Sequence, residues 1–222
     1  FPAGTRVYAG GAPPQGVDFL DRAYGAFPWL VLCILALTYL VLLRAFRSLL
    51  LPLKAVLLNL LTTAAVYGLL VTACRWDTTA GALGIDQGGQ IEGWIPIFLF
   101  AVLFGLSMDY EVFVVTRMRE VWDETGDNAR AVAVGLERTG RIVTAAALIM
   151  AAAFCGFLAG SVTGLRQLGL GLALGVLLDA TLVRSILVPA LMAVLRGYNW
   201  WLPASVARVL RVDPSPRRPR EA

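Results

Sequence analysis

The sequence contains no histidine, and that absence removes imidazole-based acid or base catalysis, Ser-His-Asp and Cys-His nucleophilic sites, and metal centres that need imidazole. Proton chemistry in this chain falls to carboxylates. Cysteine is scarce as well: Cys33, Cys74 and Cys155 lie within or beside apolar runs and read as small packing residues, with no disulfide or zinc framework. Charge is equally thin. Charged residues make up 15% of the 222 residues against 58% hydrophobic, at a mean hydropathy of +0.72, a balance too apolar for an ordinary soluble domain. The composition points to a membrane protein. The net charge of +4 and pI near 9.3 do not redirect that reading toward nucleic acid, because the basic residues cluster at the ends of apolar runs and in the tail. The chain opens on Phe1-Pro2-Ala3-Gly4 with neither an initiator methionine nor a secretory leader pattern, which predicts a piece of something longer.

A helix needs about 20 apolar residues to cross roughly 30 Å of hydrocarbon. Five segments qualify: 27–43, 49–74, 94–116, 142–165 and 168–195. The second carries Lys54 near its start and Pro52 in its first turn, where a missing N–H is harmless. The third is apolar as far as Met108 and then meets Asp109-Tyr110-Glu111. The fifth is interrupted by Asp179 and Arg184. The fold class is therefore an all-α polytopic membrane protein with a five-helix transmembrane domain over 27–195.

Lysine and arginine set the orientation. Arg44, Arg47 and Lys54 form one basic group, the connector 117–141 holds Arg117, Arg119, Arg130, Arg138 and Arg141, and the tail 196–222 holds six arginines. The intervening loops have only Arg75 and Arg166, so the basic set is assigned to the cytoplasm, with the N-terminus outside and the C-terminus inside. Trp29, Trp94, Trp200 and Trp201 fall where interfacial aromatic belts sit. Residues 1–26, with the turn-forming Gly10-Gly11-Ala12-Pro13-Pro14 and a short β-like Arg6-Val7-Tyr8, read as the end of an extracytoplasmic domain. The connector reads as an amphipathic helix on the membrane surface, broken near Gly126, and the Pro/Arg-rich tail as disordered. Glycines four apart, Gly156 with Gly160 and Gly171 with Gly175, mark close helix contacts.

An ionised carboxylate in the hydrocarbon core costs about 2.5–3.5 kcal/mol on insertion scales, so each intramembrane charge must face protein or water. At about 1.5 Å per residue, Asp109, Glu111 and Arg184 lie at similar depth, some 22–25 Å from the outer edge, with Asp179 nearer the midplane. Five residues of α-helix separate Asp179 from Arg184 by about 140°, which predicts that Arg184 pairs across helices with Asp109 or Glu111 and not with Asp179. Two carboxylates flanking a tyrosine exceed what one helix contact requires. They suggest a proton relay, with Asp109 as the titrating group and the Tyr110 hydroxyl as a donor to a neighbouring carboxylate.

The run Phe104-Gly105-Leu106-Ser107-Met108-Asp109-Tyr110-Glu111-Val112-Phe113 resembles the signature helix of MMPL-type transporters, within the resistance-nodulation-division superfamily. Asn59, the stretch Gly135-Leu136-Glu137-Arg138-Thr139-Gly140-Arg141, the stretch Leu178-Asp179-Ala180-Thr181-Leu182-Val183-Arg184 and the closing Asn199-Trp200-Trp201-Leu202-Pro203 are similar to that family as well. The resemblance spans nearly the whole chain. It implies the C-terminal membrane half of a transporter built from two similar halves, with Asp109 and Tyr110 facing an equivalent Asp-Tyr pair of the N-terminal half. Glu111, Arg117, Asp179 and Arg184 would support that relay.

The implied function is proton-motive-force-driven export of lipids or other hydrophobic molecules, including drugs, at the plasma membrane. The coupling ion is a proton and no cofactor is expected. The implied partners are the bilayer, the other half of the transporter, the hydrophobic substrate and a second copy of the chain, with no nucleic acid. The competing reading is a lipid- or sterol-sensing scaffold without transport. An intramembrane enzyme lacks support, since no histidine, paired aspartates or zinc motif is present.

Overall fold

The computed structural model describes residues 11–85 and 90–210. The expected Arg6-Val7-Tyr8 strand and the far end of the tail lie outside them. Every element among the described residues is helical. The order is α1 (Ala12–Phe46), α2 (Leu50–Arg75), α3 (Asp77–Leu83), α4 (Ile95–Thr125), α5 (Asn128–Cys155), a 3-10 turn (Gly156–Ala159), α6 (Thr163–Leu178), a π-helical segment (Asp179–Leu187), α7 (Val188–Leu195), a second 3-10 turn (Arg196–Trp200) and α8 (Ala204–Leu210). Among the described residues, five continuous helical stretches are long and apolar enough to cross a membrane, beginning at Pro14, Leu50, Ile95, Asn128 and Thr163.

The chain divides into two units, Phe1–Ala36 and Leu37–Ala222. In the first, the described stretch is helix, and Trp29 is 74% exposed beside exposed Leu30 and Leu32. Pro13 and Pro14, expected in a turn, stand instead in the first helical turn, where proline costs no hydrogen bond. In the second, α4 is the central rod and packs against α2, α5 and α6. Val66, Leu70, Cys74, Ile95, Leu99, Leu103 and Leu172 form the apolar core between them. Leucines and isoleucines on the outer faces, such as Leu57, Leu61 and Ile149, stay exposed, as a lipid-facing surface requires.

Helix boundaries depart from the expected spans for identifiable reasons. No separate connector replaces α4 at residue 117: α4 runs through to Thr125, Gly126 stops it at φ 66°, and the Asp127 carboxylate caps α5 by accepting from the Ala129 and Arg130 amides at 2.9 and 3.2 Å. The expected break near Gly126 is present, but its flanks belong to two long helices. Likewise the turn between the last two spans falls at Gly156–Val162, ahead of the expected 165–168, and Arg166 inside α6 donates to the carbonyls of Gly160 and Gly84. The polar stretch after Arg75 holds α3, closed by Gly84 at φ 61°.

Both ends of the second unit are tied by polar contacts. At one end, Gln167 in α6 is fully buried, accepts from the Glu92 amide at 3.1 Å and donates to the Gln90 carbonyl at 2.9 Å. At the other, Ser48 accepts from the Leu51 amide in the first turn of α2 at 3.2 Å and donates to the Asn199 carbonyl at 2.5 Å. Asn199 Nδ2 donates to the carbonyls of Met192 and Arg196, and Trp200 Nε1 donates to Asn128 Oδ1 at 2.9 Å. Trp200 is thus no interfacial belt residue. It is fully buried and stacks on Trp122 with centroids 5.4 Å apart.

Of the two glycine pairs, Gly171 and Gly175 do admit a neighbouring helix, since added Cβ atoms would meet the side chains of Leu99 and Leu103. Gly156 faces open space, so that pair is no helix contact. Gly135 is tighter still: a Cβ there would lie 3.2 Å from both Cα and N of Met118, so α4 and α5 touch through backbone. Gly135→Val is expected to cost about 1–3 kcal/mol by overpacking, whereas Gly156→Ala should leave stability unchanged. Thermal unfolding of the detergent-solubilised variants checks the contrast.

Candidate functional site

Along α4, Ser107, Met108, Glu111, Val114, Val115 and Met118 are buried at steps of three and four, the period of one helix face. Asp109 falls off that face. Residues two apart on an α-helix point about 200° apart, so Glu111 turns into the bundle while Asp109 turns out of it and is exposed. Tyr110 lies between them, half-buried. Asp109 and Tyr110 line a shallow surface hollow against Phe113 and the α5 residues Ile142, Val143 and Ala146.

The buried side of the site is built on Arg184. Its Nε donates to Asp179 Oδ2 at 2.8 Å, its Nη2 donates to the Ser107 carbonyl and reaches Ser107 Oγ at 3.4 Å, and its guanidinium carbon lies 5.1 Å from the centroid of the Tyr110 ring. The Tyr110 hydroxyl in turn donates to Met150 Sδ.

The expected pairing of Arg184 with Asp109 or Glu111 in preference to Asp179 is therefore overturned. The reason is local geometry. Asp179–Leu187 is π-helix, in which i→i+5 bonding winds the chain more slowly than an α-helix, so residues five apart come onto one face instead of lying 140° apart. The segment ends at Leu187, and Pro189 follows in the first turn of α7, where its missing N–H leaves the Ser185 carbonyl without the donor an α-helix would supply.

Two cavities flank the Asp179–Arg184 pair. One is lined by Asn59, Ser107, Tyr110, Val176, Asp179 and Arg184, the other by Glu111, Val114, Val115, Asp179, Val183 and Arg184. The structure thus brings together Tyr110, Glu111, Asp179 and Arg184. Asp109 borders the cluster from outside. Arg117 lies apart, exposed and paired with Glu120 at 2.7 Å. Asn59, which donates to the Phe104 carbonyl at 3.3 Å, fixes the wall of the first cavity.

Sequence reasoning passed over Lys54 as a residue of this site by grouping it with Arg44 and Arg47 as a basic topology signal. It is 6% exposed, and its charge reaches Glu111 from α2. A lone lysine inside an apolar run was the available signal. Ser107 and Met150 left no signal, because their role depends on which helix faces they share with Arg184 and Tyr110. Among the described residues no three metal-ligating side chains gather.

The model of the MMPL family matches residues 1–217. The chain belongs to the MMPL family. It is 41% identical over 206 residues to the heme uptake protein MmpL11 of Mycobacterium tuberculosis, which covers 93% of this chain and 21% of that protein. It is 39% identical over 204 residues to the mycolic acid-containing lipids exporter MmpL11 of Mycolicibacterium smegmatis, covering 92% and 21%. It is 34% identical over 208 residues to the trehalose monomycolate exporter MmpL3 of the same organism, covering 94% and 20%. The chain spans about a fifth of the length of these relatives. As an MMPL chain with five apolar helices of transmembrane length, it is a multi-pass plasma-membrane protein.

Removing one partner of a buried ion pair leaves an uncompensated charge. Asp179→Asn is expected to destabilise this bundle by about 3–5 kcal/mol, against less than about 0.5 kcal/mol for Asp109→Asn at its exposed position. Denaturant titration in detergent, read by tryptophan fluorescence, measures both.

Proposed function

We propose that this MMPL chain forms part of a proton-driven exporter of lipids or other hydrophobic molecules, with Asp109 and Tyr110 as its relay. The observation that carries the reading is the placement of charge on α4. One carboxylate, Asp109, is presented on an outer face beside Tyr110, while the tyrosine ring contacts a buried Arg184–Asp179 pair. A carboxylate on the outer face of an intramembrane helix is costly against lipid and reasonable against a protein surface. The partner surface would be the other half of the transporter, whose equivalent helix would cover Asp109. The relatives' names point the same way for the cargo: two are named as exporters of mycolic-acid lipids or trehalose monomycolate and one as a heme uptake protein. All three cargoes carry large apolar surfaces. The charged cluster favours transport over a lipid-sensing scaffold, which needs no intramembrane carboxylates.

In this reading the proton is taken up at Asp109, Tyr110 ties that carboxylate to the Arg184 side of the bundle, and helix movement alters the contact. Asp109→Asn in the complete transporter should abolish export and leave expression unchanged. The check is the envelope lipid profile of cells carrying wild type, the variant or no transporter. A variant profile equal to wild type would rule out the relay.

The positive-inside distribution orients the chain with its N-terminus outside and the α4–α5 turn in the cytoplasm. A cysteine replacing the exposed Ala129, with Cys33, Cys74 and Cys155 removed, should react with a membrane-impermeant maleimide from the cytoplasmic side alone. Labelling from outside would reverse the topology.

A further inference from the structure

Four charged residues are buried among the described residues: Lys54, Glu111, Asp179 and Arg184, two of each sign. Arg184 and Asp179 pair directly. That leaves Lys54 and Glu111. Lys54 Nζ and Glu111 Oε1 are both buried with no hydrogen-bond partner, and so is Arg184 Nη1. Buried polar atoms without partners are rare, and for full charges the penalty is severe, so these three mark a place where something more is bound or exchanged. Glu111 is attracted by both Arg184 and Lys54 and repelled by Asp179, and with Arg184 it lines the second cavity. A water accepting from the two cations and donating to the carboxylate would satisfy all three atoms.

We propose that Lys54 and Glu111 form a second buried ion pair, bridged by water beside Arg184, and that Lys54 is the positioning residue that holds the Glu111 carboxylate for proton transfer on the inner face of α4. This extends the relay reading above and rests on it. It draws α2 into the site, so that the charged core spans α2, α4 and the π-segment. It also gives Glu111 two cationic partners on different helices, between which relative motion of α2 and the π-segment would redistribute it.

The test uses the complete transporter, with the envelope lipid profile and the thermal midpoint of the purified protein as readouts. Lys54→Met preserves length and removes charge. It is expected to lower export at least tenfold, whereas Lys54→Arg retains it. Glu111→Gln should lower the midpoint by several degrees by stranding the Lys54 ammonium, and Lys54→Met added to Glu111→Gln should recover at least half of that loss. Midpoint shifts that simply add would overturn the pair. Normal export by Lys54→Met alongside a dead Asp109→Asn would overturn the role of Lys54 and leave the relay standing. Normal export by Asp109→Asn would overturn the relay, and the proposal with it. Should Lys54→Met alone fail to accumulate, accumulation of the doubly neutral variant supports the pair, and failure of both overturns it.

Discussion

A guanidinium held inside an apolar helix bundle has to find a carboxylate and acceptors for its N–H groups, and the way Arg184 does so shapes much of this bundle. Its partner lies on its own helix, which requires the helix to change pitch. The π-segment supplies that change, and the same slower winding turns Arg184 toward Ser107 and over the Tyr110 ring. Ser107, whose small side chain is buried, lies one helical turn from Leu103, where Gly175 lets α6 approach α4. A bulky residue at either position would move the two helices apart and leave the guanidinium without its second partner.

The number of long helices was legible because apolar runs close to the length of a bilayer crossing, with at most a few charges in each, have few alternatives to a membrane-spanning helix. Their ends were not. Hydropathy falls where charges begin, at Arg117 or Arg141, but a helix stops where its backbone is capped, and the caps here are Gly126 and Asp127. Reading charge as a boundary cut α4 and α5 short and created a connector that the structure absorbs into both. Trp200 failed for a related reason. An indole near a span terminus suits an interface, yet the partners that bury it, Asn128 and Trp122, come from the α4–α5 hairpin some 72 to 78 residues earlier in the chain.

Within the site, Tyr110, Glu111, Asp179 and Arg184 could be named from sequence because charge and a phenol in apolar surroundings demand an account. Their pairing could not be. It was derived with 100° per residue, and the chain does not keep that angle between Asp179 and Leu187. Lys54 illustrates the opposite error, a residue whose proximity to a basic loop hid its burial. Near a helix start, a lysine can snorkel out or turn in, and sequence spacing is the same for both. What decides is whether an unmatched carboxylate waits inside, and Glu111 supplies one.

The two faces of α4 explain how one short tripeptide serves two different surroundings. With about 100° between successive residues, Asp109, Tyr110 and Glu111 sweep from the outer surface to the interior in a single turn, so a carboxylate stands on each side and a phenol at the seam. Such an arrangement works only if α4 cannot rotate freely. The ties at its two ends meet that need: the Gln167 clasp on residues 90–92 precedes its first turn, and the Trp122–Trp200 stack grips its last. Between them, the backbone contact at Gly135 holds α5 against it. In the proposed exporter, motion coupling charge to transport would fall to the elements less tightly tied around the cluster, foremost the π-segment, whose i→i+5 bonds are a local departure from the α-helical pattern on either side of it.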